Sequence, residues 1–151
     1  MNNRAESEIL IKLELPADYK YLNILGSLIN GILERIEDLE EPENLAYGLQ
    51  LAVHEICTNI VGHAYEEKPG YRIWLEFRLL NEPLRILVKV SDTGKEFQSD
   101  IETAPDLENA QVHGYGLFLV EQLTDSFEYR RDGLYNRWTI EKALTISKKD
   151  I

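Results

Sequence analysis

Hydrophobic positions recur along this chain with two periods, and the points where the period changes mark its elements. In residues 8–15, Ile9, Ile11, Leu13 and Leu15 fall on one face, with Glu8, Lys12 and Glu14 opposite or flanking them. That is the period of two expected of a strand with one wet face, and Pro16 closes it. Beyond Asp18, a residue type suited to a helix cap, Leu22, Leu25, Leu28, Ile29, Ile32 and Ile36 recur at helical spacing. The acidic stretch 37–43 ends that helix as a solvated turn. Pro42, flanked by Glu41 and Glu43, suits the first turn of a second helix running to about residue 66. Lys68-Pro69-Gly70 is a turn, and strands at about 71–80 and 84–91, joined by Asn81-Glu82-Pro83, predict an antiparallel hairpin. The periodicity stops after Asp92-Thr93-Gly94. Residues 95–112 hold few apolar side chains and one proline, a length at which a connection is expected to be a mobile lid. A helix over 117–123 and strands at about 126–131 and 135–145, turning at Asp132-Gly133, complete the pattern. The order predicts a single domain over residues 1–151 of α+β class. Its expected form is a two-layer sandwich with a mostly antiparallel mixed sheet covered on one face by helices.

The 151 residues suit one domain that buries roughly 70% of its unfolded surface, so no disulfide or metal staple is needed. A net charge of −11 argues against direct nucleic-acid binding, which relies on lysine and arginine at phosphates. A basic protein partner, or simple solubility, suits it better. The single cysteine, Cys57, cannot form an intramolecular disulfide and lies in an apolar context as a small core residue. The start MNNRAESE is polar, and no run approaches the ~20 apolar residues of a membrane span. A cytoplasmic protein without membrane contact is expected.

Three stretches carry candidate chemistry. In residues 51–65, LAVHEICTNIVGHAY, the acid Glu55, the amide Asn59 and His63 recur every four residues beside an apolar stripe of Leu49, Val53, Ile56 and Ile60. A carboxylate in reach can accept a proton from an attacking hydroxyl, and an asparagine oxygen suits magnesium. Taken alone, the pair fits the polar flank of an amphipathic helix better than a site. Asp92, at a strand end, can accept a hydrogen bond from an exocyclic amino group such as that of adenine, and Gly94 leaves room for a planar ring. An ordinary turn is the alternative. Gly114 and Gly116 open a helix whose free N–H groups suit phosphate.

In combination and in this order, the stretches AVHEICTNIVGHAY, VSDTGKEF and GYGLFLVEQLTD resemble the ATP-binding domain shared by histidine kinases, gyrase, Hsp90 and MutL, the Bergerat fold. Within that group the chain is most similar to the anti-sigma factor serine kinases, over nearly its whole length. The resemblance implies ATP and magnesium as ligands. It implies Glu55 as general base, Asn59 as magnesium ligand, Asp92 as the adenine-reading acid, and Gly94 beneath the ring. Gly114 and Gly116 match the phosphate-contacting glycines, with Tyr115, Leu117 and Phe97 in the same boxes. Lys95 is placed either near the nucleotide or as a solvated lid residue. His63 is placed as a helix-end hydrogen-bonding residue ahead of a phosphate contact. Two positions depart from the family pattern. Glu96 stands where a second glycine is usual, and Tyr115 where arginine is common.

The resemblance implies an ATP-dependent protein serine/threonine kinase that phosphorylates an anti-sigma factor antagonist, binds a sigma factor with the same domain, and forms a homodimer. Glu96 and Tyr115 motivate the rival expectation, a non-catalytic, nucleotide-responsive module that sequesters a sigma factor or another regulator.

Overall fold

The computed structural model describes residues 9–98 and 115–147. Strand β1 is Ile9–Pro16, one residue longer than the alternation alone requires. Asp18 does cap, but its Oδ1 accepts the backbone N–H of Lys20 at the head of a short 3-10 turn, Tyr19–Tyr21. Helix α1, Ile24–Glu34, starts after it without a side-chain cap. Its inward stripe is Leu25, Ile29, Ile32 and Leu33, so the helical spacing identified the buried face while the capping residue marked the turn before it. Leu39, buried within the acidic stretch, makes an isolated bridge to Ile146, which pins that turn.

Helix α2 is Pro42–Asn59, with proline at its first position as expected. It does not continue to residue 66. From Ile60–Ala64 the coil widens into a single π turn, closed by the Tyr65 N–H on the Ile60 carbonyl at 3.0 Å. Such wide turns commonly re-aim side chains at functional sites. Here the widened coil carries His63, with Asn59 immediately before it.

Strands β2, Arg72–Leu80, and β3, Arg85–Asp92, form the expected hairpin. Helix α3 is Tyr115–Leu123; β4, Ser126–Asp132, and β5, Tyr135–Ala143, form the second hairpin. The strand order is β1-β2-β3-β5-β4, and every described pair is antiparallel. The last strand thus lies inside the sheet, beside β3. One sheet face, carrying Ile73, Leu75, Phe77, Ile86, Val88, Val90, Trp138 and Ile140, is buried in a single core with the helices. Helix α2 packs against both α1 and α3. Its stripe of Leu49, Val53, Ile56 and Ile60 is buried, while Glu55, Asn59 and His63 are half-buried at its edge. Cys57 is fully buried, and desolvation pushes its thiol up to about 12. No helix among the described residues is long and apolar enough to cross a membrane.

Candidate functional site

Asp92 ends β3 and is 0% exposed. A buried carboxylate needs hydrogen-bond donors. Its Oδ1 has two: the Gly94 backbone N–H at 2.8 Å and the side-chain amide of Asn136 at 2.7 Å. Its Oδ2 has no partner among the described residues. Burial pushes the carboxyl above its ordinary pKa, while Asn136, Gly94, Trp138 and the Arg131 charge pull it back. The Trp138 N–H favours the charged form from close by, with geometry short of a hydrogen bond, because Nε1 is itself unpartnered.

Asn136 reaches Asp92 because the two are paired across β3 and β5. Its Nδ2 also donates to the Lys95 carbonyl at 3.0 Å, and its Oδ1 accepts from Tyr129 Oη and from Arg131 Nη1. Arg131 Nη1 donates to the Gly94 carbonyl at 2.8 Å, and Tyr129 Oη accepts the Phe97 N–H at 2.9 Å. Residues 94–97 are thereby tied to the inner face of β4 and β5. Phe97 adds edge-on ring contacts with Tyr129 and Trp138. On the other side, the Tyr65 hydroxyl accepts the Thr93 N–H at 2.8 Å and donates to the Arg72 carbonyl at 2.6 Å, while its ring stacks on Tyr71.

Beside this network lies a cavity of about 420 Å³ lined by Asn59, His63, Ala64, Lys95, Glu96, Phe97, Gln98, Asn136 and Trp138. That volume is in the range that takes a small-molecule ligand. Asp92 is behind the wall, joined to it through Asn136. The π turn supplies one side and the 94–98 segment the other. Their approach explains Gly94. A Cβ there would lie 2.5 Å from the Ala64 carbonyl oxygen, and the Lys95 N–H donates to that same oxygen at 3.0 Å. The need for glycine thus comes from the neighbouring backbone. Lys95 Nζ is 3.8 Å from Glu66 Oε1 and well exposed.

Glu55 lies one turn before Asn59 and outside the cavity lining. Its carboxylate is instead set against the start of α3, where a Cβ on Gly116 would overlap Glu55 Oε2. Glycine at 116 therefore lets the first turn of α3 close on Glu55, near N–H groups and a dipole end that favour negative charge. Leu117 is buried, its side chain spent on the core. Gly114, the side chain of Tyr115 and the expected lid beyond residue 98 lie outside the described residues.

The structure thus gathers Asn59, His63, Lys95 and Phe97 around one cavity, places Asp92 behind it, and sets Glu55 with Gly116 at a second point along α2. The residues fit an adenine nucleotide: one buried carboxylate oxygen lacks a donor, and Asn59 offers a half-buried amide oxygen of the kind magnesium takes alongside phosphates and water. Sequence reasoning missed Asn136, Tyr129, Arg131, Trp138 and Tyr65. One signal was available for Asn136. It is polar at an inward position of a strand whose next two inward residues are Trp138 and Ile140.

Comparison with known proteins agrees with this geometry. Residues 15–142 match the histidine kinase-like ATPase domain family. The chain is 31% identical over 135 residues to a serine-protein kinase RsbW of Bacillus pumilus, covering 82% of this chain and 79% of that protein. It is 29% identical over 134 residues to a serine-protein kinase RsbW of Halalkalibacterium halodurans, covering 81% and 76%. The five-stranded antiparallel sheet and three helices described above are consistent with that fold. With most of its length matched, the chain belongs to the histidine kinase-like ATPase domain family.

Proposed function

We propose that this protein is an ATP- and magnesium-dependent protein-serine/threonine kinase that acts as an anti-sigma regulatory factor and phosphorylates an anti-sigma factor antagonist. The observation that carries the reading is the unpartnered Oδ2 of buried Asp92, one hydrogen bond removed from a cavity of nucleotide size. In this reading Asp92 accepts a hydrogen bond from the exocyclic amino group of adenine. The cavity wall of Ala64, Phe97 and Trp138 holds the base, and Asn59, one turn after Glu55 on α2, holds magnesium, which neutralises charge on the phosphates. Glu55 accepts the proton of the substrate hydroxyl as its oxygen bonds to the γ-phosphorus, and ADP leaves with the electrons of the broken P–O bond. The N–H groups at the start of α3, Gly116 and Leu117 among them, and Gly114 before them donate to phosphate oxygens. Lys95 and Tyr115 flank the nucleotide and His63 orders the end of the α2 coil. The protein works in the cytoplasm as a homodimer and also binds a sigma factor. The names of its relatives support the kinase chemistry; the antagonist, the sigma factor and the dimer rest on the family resemblance alone.

The test combines labelled ATP, magnesium and a candidate antagonist. Phosphate on a partner serine or threonine, lost in Glu55→Ala, is the expected result. Calorimetry that detects no ATP or ADP binding at millimolar concentration sinks the reading. A second reading is favoured by Glu96, which lines the cavity and adds negative charge beside a nucleotide bound there. In it the nucleotide is a structural ligand of a regulator-binding module. Tight nucleotide binding with no transfer to any partner selects that alternative.

A further inference from the structure

Asn136 is 1% exposed and uses both ends of its amide. Its Nδ2 faces only acceptors, Asp92 Oδ1 at 2.7 Å, the Lys95 carbonyl at 3.0 Å and the Gly94 carbonyl at 3.4 Å. Its Oδ1 faces only donors, Arg131 Nη1 at 3.0 Å and the Tyr129 hydroxyl. Arg131 can only donate, so the amide atom beside it is the oxygen, and the Tyr129 hydroxyl therefore donates to Asn136 while accepting from Phe97 N–H. The amide orientation is therefore dictated by its neighbours. One consequence falls on Asp92. With Oδ1 occupied by Asn136 and Gly94, the carboxylate cannot rotate without breaking two hydrogen bonds, and Oδ2 is the oxygen left to accept.

We propose that Asn136 is a positioning residue for nucleobase specificity: it holds Asp92 as an oriented acceptor and ties that orientation to the 94–97 segment that walls the cavity. Resting on the reading of Asp92 as base-reading acid, this explains a preference for adenine, whose amino group donates, over guanine, whose O6 accepts and meets the carboxylate unfavourably. The groups facing Asp92 are Cys57 from α2, Tyr65 from the turn after it, Tyr129 and Arg131 from β4, and Asn136 and Trp138 from β5. Asn136 makes the shorter of the two hydrogen bonds to Asp92 Oδ1, 2.7 Å against 2.8 Å from Gly94.

Asn136→Asp tests this with the least change in shape. It keeps an acceptor for Tyr129 and Arg131 but replaces the donor facing Asp92 with a second carboxylate, which favours a shared proton. Two measurements are made on wild type and variant. Calorimetry gives the ATP-over-GTP affinity ratio, and carbon-13 NMR of the ligand-free protein follows the Asp92 carboxyl across pH, with Asp92→Asn identifying its signal. The expected result is a titration moved to higher pH and a nucleotide ratio reduced at least about tenfold, the scale of a hydrogen bond to a charged group. A residue that only maintained the fold would weaken both nucleotides alike and leave the titration in place. An unchanged ratio with an unchanged titration overturns the proposal while the kinase reading stands. If wild type binds neither nucleotide, the base-reading role of Asp92 falls, and the NMR titration alone decides whether Asn136 sets its ionisation. If Asn136→Asp does not fold, Asn136→Ser, which retains one short donor, is measured against the same two outcomes.

Discussion

The two ends of the candidate site are built in opposite ways. At the Asp92 end, Asp92 and Asn136 sit on neighbouring inner strands, fully buried, with Tyr129, Arg131 and residues 94–97 tied into one network. At the Glu55 end, Glu55 and Asn59 are half-buried on the edge of one helix, and Glu55 lies close against Gly116, where any Cβ would overlap its carboxylate. A buried polar network is costly when any member is removed, so recognition there is bound up with stability. Side chains on a helix edge can change without unpairing their surroundings, so chemistry at the other end is separable from folding.

The largest expected effect tests that separability. Glu55→Gln should slow phosphoryl transfer by about 10²- to 10⁴-fold, the usual scale for a general base, with nucleotide affinity and unfolding midpoint little changed. Quench-flow assays together with calorimetry check it, and a matching loss of affinity would mean the two ends are coupled. Asp92→Asn should weaken ATP about 10- to 100-fold, because a hydrogen bond to a charged acceptor is lost. Its stability effect carries a sign. The Asp92 carboxyl is raised by burial, so the folded state holds its proton more tightly than the unfolded chain does. Asp92 therefore supports stability below the ordinary carboxylate range, and that contribution is lost as pH rises through its raised pKa. Urea unfolding across that window should show Asp92→Asn gaining on wild type as pH rises, and a flat difference would remove the burial argument.

Gly94→Ala should cost about 1–3 kcal/mol, the range for overpacking, since its methyl meets the Ala64 backbone instead of a yielding side chain. Chemical denaturation measures it, and a neutral result would show that the π turn gives way. The smallest effect is expected on the open face of the sheet. There Lys12 and Glu76 pair at 3.7 Å with Lys12 largely exposed, and Lys12→Ala should change stability by no more than about 1 kcal/mol.

Much of this protein was legible from its residues. The alternation in β1, β2 and β3 and the helical stripe of α1 identified elements and buried faces together, because period and burial are the same physical fact. Glu55 and Asn59 were legible as one edge of a helix for that reason. The end of α2 was not. Residues 60–64, IVGHA, continue the helical coil, and nothing in their apolar spacing tells a π turn from an α turn. Asp18 was legible as a cap, but capping chemistry does not say which of two successive coils it opens.

What the sequence by itself determined is local: the elements, their faces, the glycines, and the residue types able to bind a nucleotide. The tertiary structure decided what those types face. The strand order put β5 beside β3, and that register brought Asn136, 44 residues away in the chain, onto Asp92. It also turned Gly94 toward Ala64 and Gly116 toward Glu55. Such contacts depend on which strands pair and how closely helices approach, and no local period encodes either.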